Sequence, residues 1–437
     1  MKVNSRKTIL ILSILMALQM TSFVIILPLF PRRFDELGAG VEALGISAMA
    51  YALTSALAAP FMGALADRFG RRPLVLGSLA AYTASFIGYL LAPSVAAIVV
   101  LRACAGAFTA GLFPAVTGLA ADLAPQDRRA QWISFIHGGA AFGWIAGPIA
   151  GGMLYDRWGY STALLVSIAT AAITFIVALL FVPESRPAYT PALSGVAPIP
   201  TSARSRATGS RTKSLRLAWL EFRSSLPPSL ASFFVLLFIF FVVLFAWAFI
   251  EPRFMFYAYN DLGWSSSTLG LMMSTYGVAM LVGELTLGRL SDRWGRKPVI
   301  TLGLVLFSAQ FIGMAFFRDY LLIAAAFLLA GLGNALYDPA LSASILDISP
   351  AEHRARILGI KSMVGSSGSI LGPALVARLN ASLSARSIFL IAVSMVVLTT
   401  IVVLVDQARE RYTHTALSTE AGAGTTVSGE MMKEGEL

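Results

Sequence analysis

Five ionisable side chains lie inside long apolar stretches of this 437-residue chain: Arg102, Glu251, Glu284, Asp338 and Lys361. A charged Arg or Asp at the centre of a membrane helix costs roughly 2.5–3.5 kcal/mol, so such residues are usually functional. A carboxyl group in that position can bind and release a proton, and a buried cation can oppose its charge. The five residues therefore predict proton chemistry within a membrane.

Asp338 is the strongest candidate for a proton-coupling residue. It precedes Asp347 by nine residues, which places it roughly 13 Å inside the membrane at the rise of an α-helix. Its side chain is too short to reach surface water from there. Lys361 lies about one helical turn from the expected end of its helix, so we expect its long side chain to reach that surface.

The other three charges leave more than one interpretation open. Glu251 is either a second proton site or a residue that faces the water outside. Glu284, one turn before Gly288, is either a proton site or a partner of the loop that begins there. Arg102 is either the countercharge that expels the proton or a structural arginine bound to backbone carbonyl groups. All three join Asp338 as candidates for proton coupling.

The overall composition is that of a membrane protein. Hydrophobic residues make up 57% of the chain, charged residues only 13%, and the mean hydropathy is +0.75. A soluble domain is roughly 25% charged, which argues against a soluble enzyme, a secreted protein or a DNA-binding domain. The net charge of +10 is typical of basic cytoplasmic loops, so no nucleic-acid partner is expected. One cysteine and three scattered histidines predict no metal site, and no cofactor is expected.

Twelve apolar runs are long enough to cross a bilayer core, which needs roughly 20 helical residues. Numbered span 1 to span 12, they lie at 8–30, 45–66, 74–92, 95–121, 132–154, 161–182, 230–250, 265–288, 298–317, 320–346, 356–377 and 386–405. The sequence thus predicts an all-α membrane protein with two six-helix bundles, at 1–182 and 230–405. A cytoplasmic linker at 183–229 joins the bundles, and a disordered cytoplasmic tail follows at 406–437.

Basic residues predict the orientation of the chain. Most of the 33 Lys and Arg residues fall in the segments on the same side as both termini. Because basic loops stay in the cytoplasm, we expect both termini there, in a multi-pass protein of the plasma membrane. The basic end of the linker is either a helix on the anionic lipid surface or a solvated tether.

The two bundles are copies of one unit. A shift of 225 residues places the first half on the second without a gap. Six spans return the chain to the same side, so the halves are parallel repeats around a central cleft. Such a cleft predicts a transporter, and the alternative is a scaffold or sensor that transports nothing. The loop residues that coincide are Gly63, Asp67, Arg68, Gly70 and Arg71 in the first half and Gly288, Asp292, Arg293, Gly295 and Arg296 in the second.

The repeated loop combines glycines, an acid and arginines at a fixed spacing. A glycine at a helix end lets a neighbouring helix approach closely, and an aspartate can cap a helix or bind an arginine. Bonds of this kind can hold one conformation and break in another. We therefore expect a conformational latch in each half, and the alternative is a basic loop that only anchors the chain at the membrane.

These loops resemble motif A of the major facilitator superfamily, and the resemblance covers nearly the whole chain outside the linker and the tail. Arg102 matches the arginine of motif B, Leu27–Leu37 resembles a Pro-x-x-Pro motif, and Gly143–Gly152 resembles motif C. Motif C is the signature of the drug:proton antiporters, and their acidic positions in spans 7 and 10 look like Glu251 and Asp338. The resemblance implies a twelve-span antiporter, although span 1 lacks the acidic residue of many members.

Motif C also has a physical interpretation. Glycines recur every four residues and therefore share one helix face, on which another helix can pack closely. Pro148 removes a backbone hydrogen bond and permits a bend. We expect a close-packed, bendable seam between the two halves that acts as a gate, and the alternative is ordinary helix packing. The glycines are Gly139, Gly143, Gly147 and Gly151.

We expect a proton-coupled secondary transporter that exports lipophilic or drug-like molecules and functions as a monomer. Alternatives within transport are a flippase for amphiphiles or glycolipids and a sugar or amino-acid exporter, while an enzyme is not expected. The resemblance implies that spans 1, 4, 7 and 10 line the cavity, where Met and aromatic side chains tolerate varied ligands. The candidate substrate-binding residues are Gln19, Met20, Phe23, Phe113, Trp247, Asn334 and Tyr337.

Overall fold

The computed structural model describes residues 5–125, 128–183, 227, 229–287, 290–350 and 353–434. Every regular element in these ranges is a helix, and no strand occurs in them. The predicted linker lies almost entirely outside the described residues. Gly288 also lies outside them. For Asp67 and Asp292 the structure describes the backbone alone.

The first half contains spans 1 to 6. Its helices are Ser5–Ile26, Leu27–Leu29, Phe30–Glu36, Val41–Phe69, Arg71–Leu91, Val95–Thr109, Leu112–Leu123 and Arg129–Phe181. The last of these has 53 residues, about 80 Å of helix, which is more than twice the thickness of a bilayer core. The backbone of Gly159, with φ 80° and ψ 179°, breaks it into spans 5 and 6.

The second half contains spans 7 to 12. A π-helical turn, Tyr257–Asp261, extends span 7, and a short helix precedes span 9 at the end of the bundle. Ten helices of the described chain are long and apolar enough to cross a membrane, one of which holds both span 5 and span 6. The helices of this half are Leu230–Phe256, Tyr257–Asp261, Ser266–Leu287, Leu290–Trp294, Arg296–Phe316, Tyr320–Asp347, Arg354–Leu379 and Ala385–Glu434.

Span 11, Arg354–Leu379, completes the set although it is less apolar than the other spans. Its sequence is rich in Gly and Ser, which lowers its hydropathy, but 26 helical residues are long enough to cross a bilayer core. It packs against spans 2 and 7, so it belongs to the bundle. The predicted twelve-span, all-α architecture is confirmed.

The tail differs from its prediction. The helix of span 12 continues to Glu434, whereas the polar segment from residue 406 onward was expected to be disordered. The segment begins Asp-Gln-Ala-Arg-Glu-Arg. Gln, Ala, Arg and Glu favour helix, so they readily continue a helix that the membrane span has already nucleated. Lys297 at the start of span 9 also contacts Asp406, which fixes the first turn beyond the span.

The backbone repeats the duplication seen in the sequence. Gly38 and Gly263 precede spans 2 and 8 with φ values of 72° and 68°, and Gly70 and Gly295 precede spans 3 and 9 with values of 96° and 87°. A Cβ atom makes this left-handed backbone conformation unfavourable, which explains why glycine occupies these four turns. Both pairs are separated by the same 225 residues as the sequence repeat.

Candidate functional site

A cavity of about 210 Å³ lies between span 5 of the first half and spans 7 to 10 of the second. Six of its lining side chains are aromatic and none is charged. Apolar, concave sites of this kind are typical of small-molecule binding. The lining residues are Trp144, Pro148, Val243, Leu244, Trp247, Met273, Tyr276, Phe307, Phe327, Asn334 and Tyr337.

One corner of the cavity carries an ordered group of polar side chains. The Asn334 amide donates hydrogen bonds to the hydroxyl oxygens of Tyr276, at 2.7 Å, and Tyr337, at 3.3 Å. Because both tyrosines accept from Asn334, their own O–H protons remain available to a ligand. Trp247 stacks on Tyr276 with ring centroids 6.1 Å apart. The corner therefore offers flat apolar faces next to hydrogen-bond donors.

Three predicted substrate-binding residues, Trp247, Asn334 and Tyr337, line this cavity. The structure adds Trp144 from span 5 and Tyr276 from span 8. Sequence reasoning missed both because it assigned the lining to spans 1, 4, 7 and 10 alone. The available signal was that both are large aromatic residues next to helix-packing glycines.

The four candidates of the first half lie elsewhere. Gln19 is fully buried, and neither polar atom of its side-chain amide has a hydrogen-bond partner among the described residues. Met20 packs beside Gly143 of span 5. Phe23 packs against Tyr51 and Tyr82, with ring centroids about 6 Å away, and Phe113 packs against His137. These four residues do not line the aromatic cavity.

Asp338 directly follows Tyr337 and forms an ion pair. Lys361 Nζ lies 3.3 Å from Asp338 Oδ1 and donates a hydrogen bond to Ser342 Oγ at 2.6 Å. The Asp338 side chain is 46% exposed, so the pair does not seal it. Lys361 is only 12% exposed, so the expectation that it extends to the membrane surface is wrong. A carboxylate in direct contact attracts the ammonium group strongly in the low-dielectric interior of the protein.

Arg102 and Glu251 belong to opposite halves and lie within electrostatic range of each other. Arg102 is 7% exposed, and its guanidinium lies over the rings of Phe30, at 4.7 Å, and Tyr51, at 5.2 Å. Aromatic faces stabilise a cation without neutralising its charge. This geometry is compatible with the predicted countercharge. Glu284 is exposed and lies within electrostatic range of Asp338.

The repeated loops form matching ion pairs. Arg71 Nε lies 3.0 Å from Asp122 Oδ2, and Arg296 Nε lies 3.2 Å from Asp347 Oδ2. Each pair ties the start of span 3 or 9 to the end of span 4 or 10 of the same half. We call the end of the bundle that carries these pairs the basic end. Arg68 and Arg293 are exposed at this end.

Within the described residues, no neighbour lies within 4 Å of the position that a Cβ would take on Gly63. The described part of the chain therefore shows no close helix approach at this glycine.

The glycine face of motif C packs on span 1 of its own half. A Cβ on Gly139 would lie 2.3 Å from the carbonyl oxygen of Ser13, and one on Gly151 would lie 2.1 Å from that of Ile25. Gly143 and Gly147 contact the stretch of span 1 between these two residues. Close packing is as predicted, but its expected place between the halves is wrong, because the glycines face span 1.

The seam between the halves is formed by the neighbouring residues of motif C. A Cβ on Gly270 of span 8 would lie 2.1 Å from the carbonyl oxygen of Pro148, and one on Gly45 of span 2 would lie 2.8 Å from that of Pro373. These two contacts are related by the repeat, so spans 5 and 8 cross as spans 2 and 11 do. Both crossings lie toward the end opposite the basic end.

Hydrogen bonds join the halves at that opposite end. The Asp156 carboxylate, between spans 5 and 6, accepts the backbone N–H groups of Ser266 at 3.0 Å and Ser267 at 2.7 Å. It thereby caps the first turn of span 8 in the other half. Arg32 donates to the Trp264 carbonyl oxygen at 3.2 Å and lies 4.0 Å from the centre of the Tyr259 ring. The two halves are thus fastened together at this end.

In the described chain, twelve membrane spans in two repeated halves enclose an aromatic cavity, which is the architecture of a membrane transporter. The chain belongs to the Major Facilitator Superfamily, whose family model matches residues 10–260 and 236–429. It is a multi-pass membrane transporter and not an enzyme.

Among curated relatives, the multidrug resistance protein MdtG of Klebsiella pneumoniae (strain 342) is 27% identical over 386 residues, which cover 86% of this chain and 87% of that protein. A homologue of the multi-drug resistance efflux pump PmrA from Lactococcus lactis subsp. lactis (strain IL1403) is also 27% identical, over 81% of this chain and 83% of its own length.

Solved structures share the fold. A bacterial homologue of the human lysosomal transporter Spinster, in an inward-facing and occupied conformation, has a TM-score of 0.72 and 15% identity, and covers 93% of this chain and 98% of that one. The human organic anion transporter MFSD10 has a TM-score of 0.65 and 20% identity, and covers 92% of this chain and all of that one.

Proposed function

We propose that the protein exports lipophilic, drug-like molecules from the cell in exchange for protons. The observation that carries the proposal is the aromatic cavity between the halves. Its lining residue Tyr337 is followed directly in the sequence by Asp338, whose carboxyl group is partly exposed. The cavity can hold a flat apolar ligand, and the carboxyl can hold a proton beside it. The multidrug relatives support a substrate of this type.

Transport would proceed by alternating access. The halves are fastened at the end with Asp156 and Gly270, so we assign this conformation to the state closed at that end. We place the basic end and both termini in the cytoplasm, because basic loops stay on that side. The protein would then reside in the plasma membrane, and substrate would enter its cavity from the cytoplasm. It would act as a monomer and use no cofactor.

Proton coupling would use charges on both halves. Asp338 binds the proton that enters from outside, and Glu251 is a second site opposite the Arg102 cation. Protonation removes a negative charge from the region between the halves and changes which of their packings is more stable. A ligand couples to such an equilibrium only through a difference in its affinity for the two states. Glu284, near Asp338, is a third candidate.

The test is exchange in proteoliposomes that contain the purified full-length protein. An imposed proton gradient should drive uphill movement of an aromatic dye such as ethidium, with proton movement in the opposite direction. A panel of lysolipids, sugars and amino acids distinguishes the flippase and solute-exporter alternatives. Substrate transport that is unaffected by the proton gradient would refute the coupling, and a failure to transport any panel member would refute the proposed export of drug-like molecules.

A further inference from the structure

We propose that Lys361 is the internal competitor of the proton at Asp338: its ammonium group neutralises the carboxylate whenever the proton has left. This inference rests on the proposed proton coupling and assigns the residue that positions and tunes that site. Lys361 contacts neither the cavity nor, in this proposal, the substrate, so it is a positioning residue.

The geometry of Lys361 supports a dedicated position. Its Nζ is held by Asp338 at 3.3 Å and by Ser342 at 2.6 Å, both on span 10, although Lys361 itself belongs to span 11. The ammonium also lies 4.2 Å from the centre of the Phe240 ring of span 7. Three contacts from two other helices fix one end of a long, flexible side chain. A lysine that only balanced charge at a surface would not need this arrangement.

The partners are unequal in exposure, and this inequality lets the pair open. Lys361 is largely buried, whereas Asp338 remains 46% exposed, so the lysine does not cover the whole carboxyl group. When Asp338 is protonated, Ser342 and the Phe240 ring still hold the ammonium group. The carboxyl can therefore exchange its lysine partner for a proton while the lysine stays in place.

Three other titratable side chains of the described residues lie near Asp338. Glu284 and Tyr276 of span 8 and Tyr337 of its own span lie within electrostatic range of it, and none of them carries a positive charge. Glu284 would oppose a second negative charge on Asp338. Lys361, which contacts Asp338 directly, offsets this repulsion when Asp338 is ionised.

The protonation of Asp338 can be followed without any substrate. Infrared spectra of the reconstituted full-length protein, recorded against pH, contain the carboxylic-acid C=O band of each protonated acid. The component that disappears in Asp338→Asn belongs to Asp338. An opposite charge in contact shifts such a midpoint by about 1–3 pH units. In Lys361→Gln we therefore expect the midpoint of this band to move to higher pH by about one unit or more.

Two further variants distinguish an effect of the lost charge from an effect of misfolding. Lys361→Arg keeps the cation and should leave the midpoint near that of the parent protein. Ser342→Ala removes one anchor of the ammonium group and should move the midpoint in the same direction as Lys361→Gln, but less. An unchanged midpoint in Lys361→Gln, or a shift of the same size in Lys361→Arg, overturns the proposal. So does the absence of any band that depends on Asp338.

The outcome is independent of the transport assay. If Lys361→Gln shifts the band but the protein moves no substrate, the proposed function fails and the charge competition stands. If transport is coupled to protons but the midpoint does not move, the coupling stands and the role of Lys361 fails.

Discussion

The carbonyl oxygen of Pro148 lies so close to Gly270 that a Cβ built there would approach it to 2.1 Å. Pro373 and Gly45 repeat this relationship through the internal duplication. The two contacts lock the halves together with backbone atoms alone, and small residues at both crossings permit it. A close contact without side chains can be released and re-formed with little rearrangement, which suits a gate.

A side chain at position 270 should open the transporter at the end opposite the basic end. Gly270→Val places atoms where the Pro148 carbonyl lies, and overpacking of about 1–3 kcal/mol would shift the equilibrium between closed and open states roughly 5–150-fold. The measurement is labelling of Ser266→Cys by a membrane-impermeant thiol reagent, in a Cys104→Ser background. Labelling should be slow in the parent and several times faster with Gly270→Val.

Gly138→Val is the matched control for that experiment. No atom of the described residues lies within 4 Å of a Cβ at Gly138, so this variant adds the same side chain without touching the seam. Equal labelling rates in the parent and in Gly270→Val would show that the crossing does not close this end.

A second prediction concerns the packing of motif C on span 1. Gly151→Ala would bring a methyl group to 2.1 Å from the Ile25 carbonyl oxygen, so the helices must separate. We expect the free energy of unfolding to fall by about 1–3 kcal/mol. Each kcal/mol lowers the melting temperature by roughly 2–4 °C. Gly138→Ala on the same helix should have no such effect. Differential scanning fluorimetry checks both, and equal melting temperatures would contradict the packing.

The third prediction concerns the aromatic cavity. Trp247→Ala removes the ring that stacks on Tyr276, and we expect the Kd for ethidium to rise about tenfold, equivalent to 1.4 kcal/mol. Phe113→Ala is the control, since Phe113 packs against His137 outside the cavity. Fluorescence anisotropy with purified protein measures both affinities. A larger loss in Phe113→Ala would place the binding site in the first half instead.

Much of the fold is readable from the sequence, because a membrane imposes a simple rule. Each span must be about 20 apolar residues long, and a duplication repeats its register. The ion pairs of Arg71 with Asp122 and Arg296 with Asp347 repeat with that register, although the acid that each arginine binds was not predicted. The tail was harder, because a polar composition does not show whether a helix stops at the membrane surface or continues.

The candidate site was predictable only in part, because periodicity gives the face of a helix and not its partner. The glycines of motif C share a face, as expected, yet nothing in their spacing distinguishes span 1 from the other half. Lys361 and Asp338 are 23 residues apart on different helices, and only packing brings them together. The partner of a buried charge is therefore the feature that needs a structure.

The central claim, that Asp338 couples proton entry to export, is tested most directly by Asp338→Asn in two assays on the same proteoliposomes. One measures uphill dye transport driven by an imposed pH gradient, and the other measures dye counterflow with no gradient. The amide cannot exchange a proton but preserves the shape of the side chain. We predict that counterflow persists while gradient-driven accumulation is lost. Full gradient-driven transport by Asp338→Asn would contradict the account.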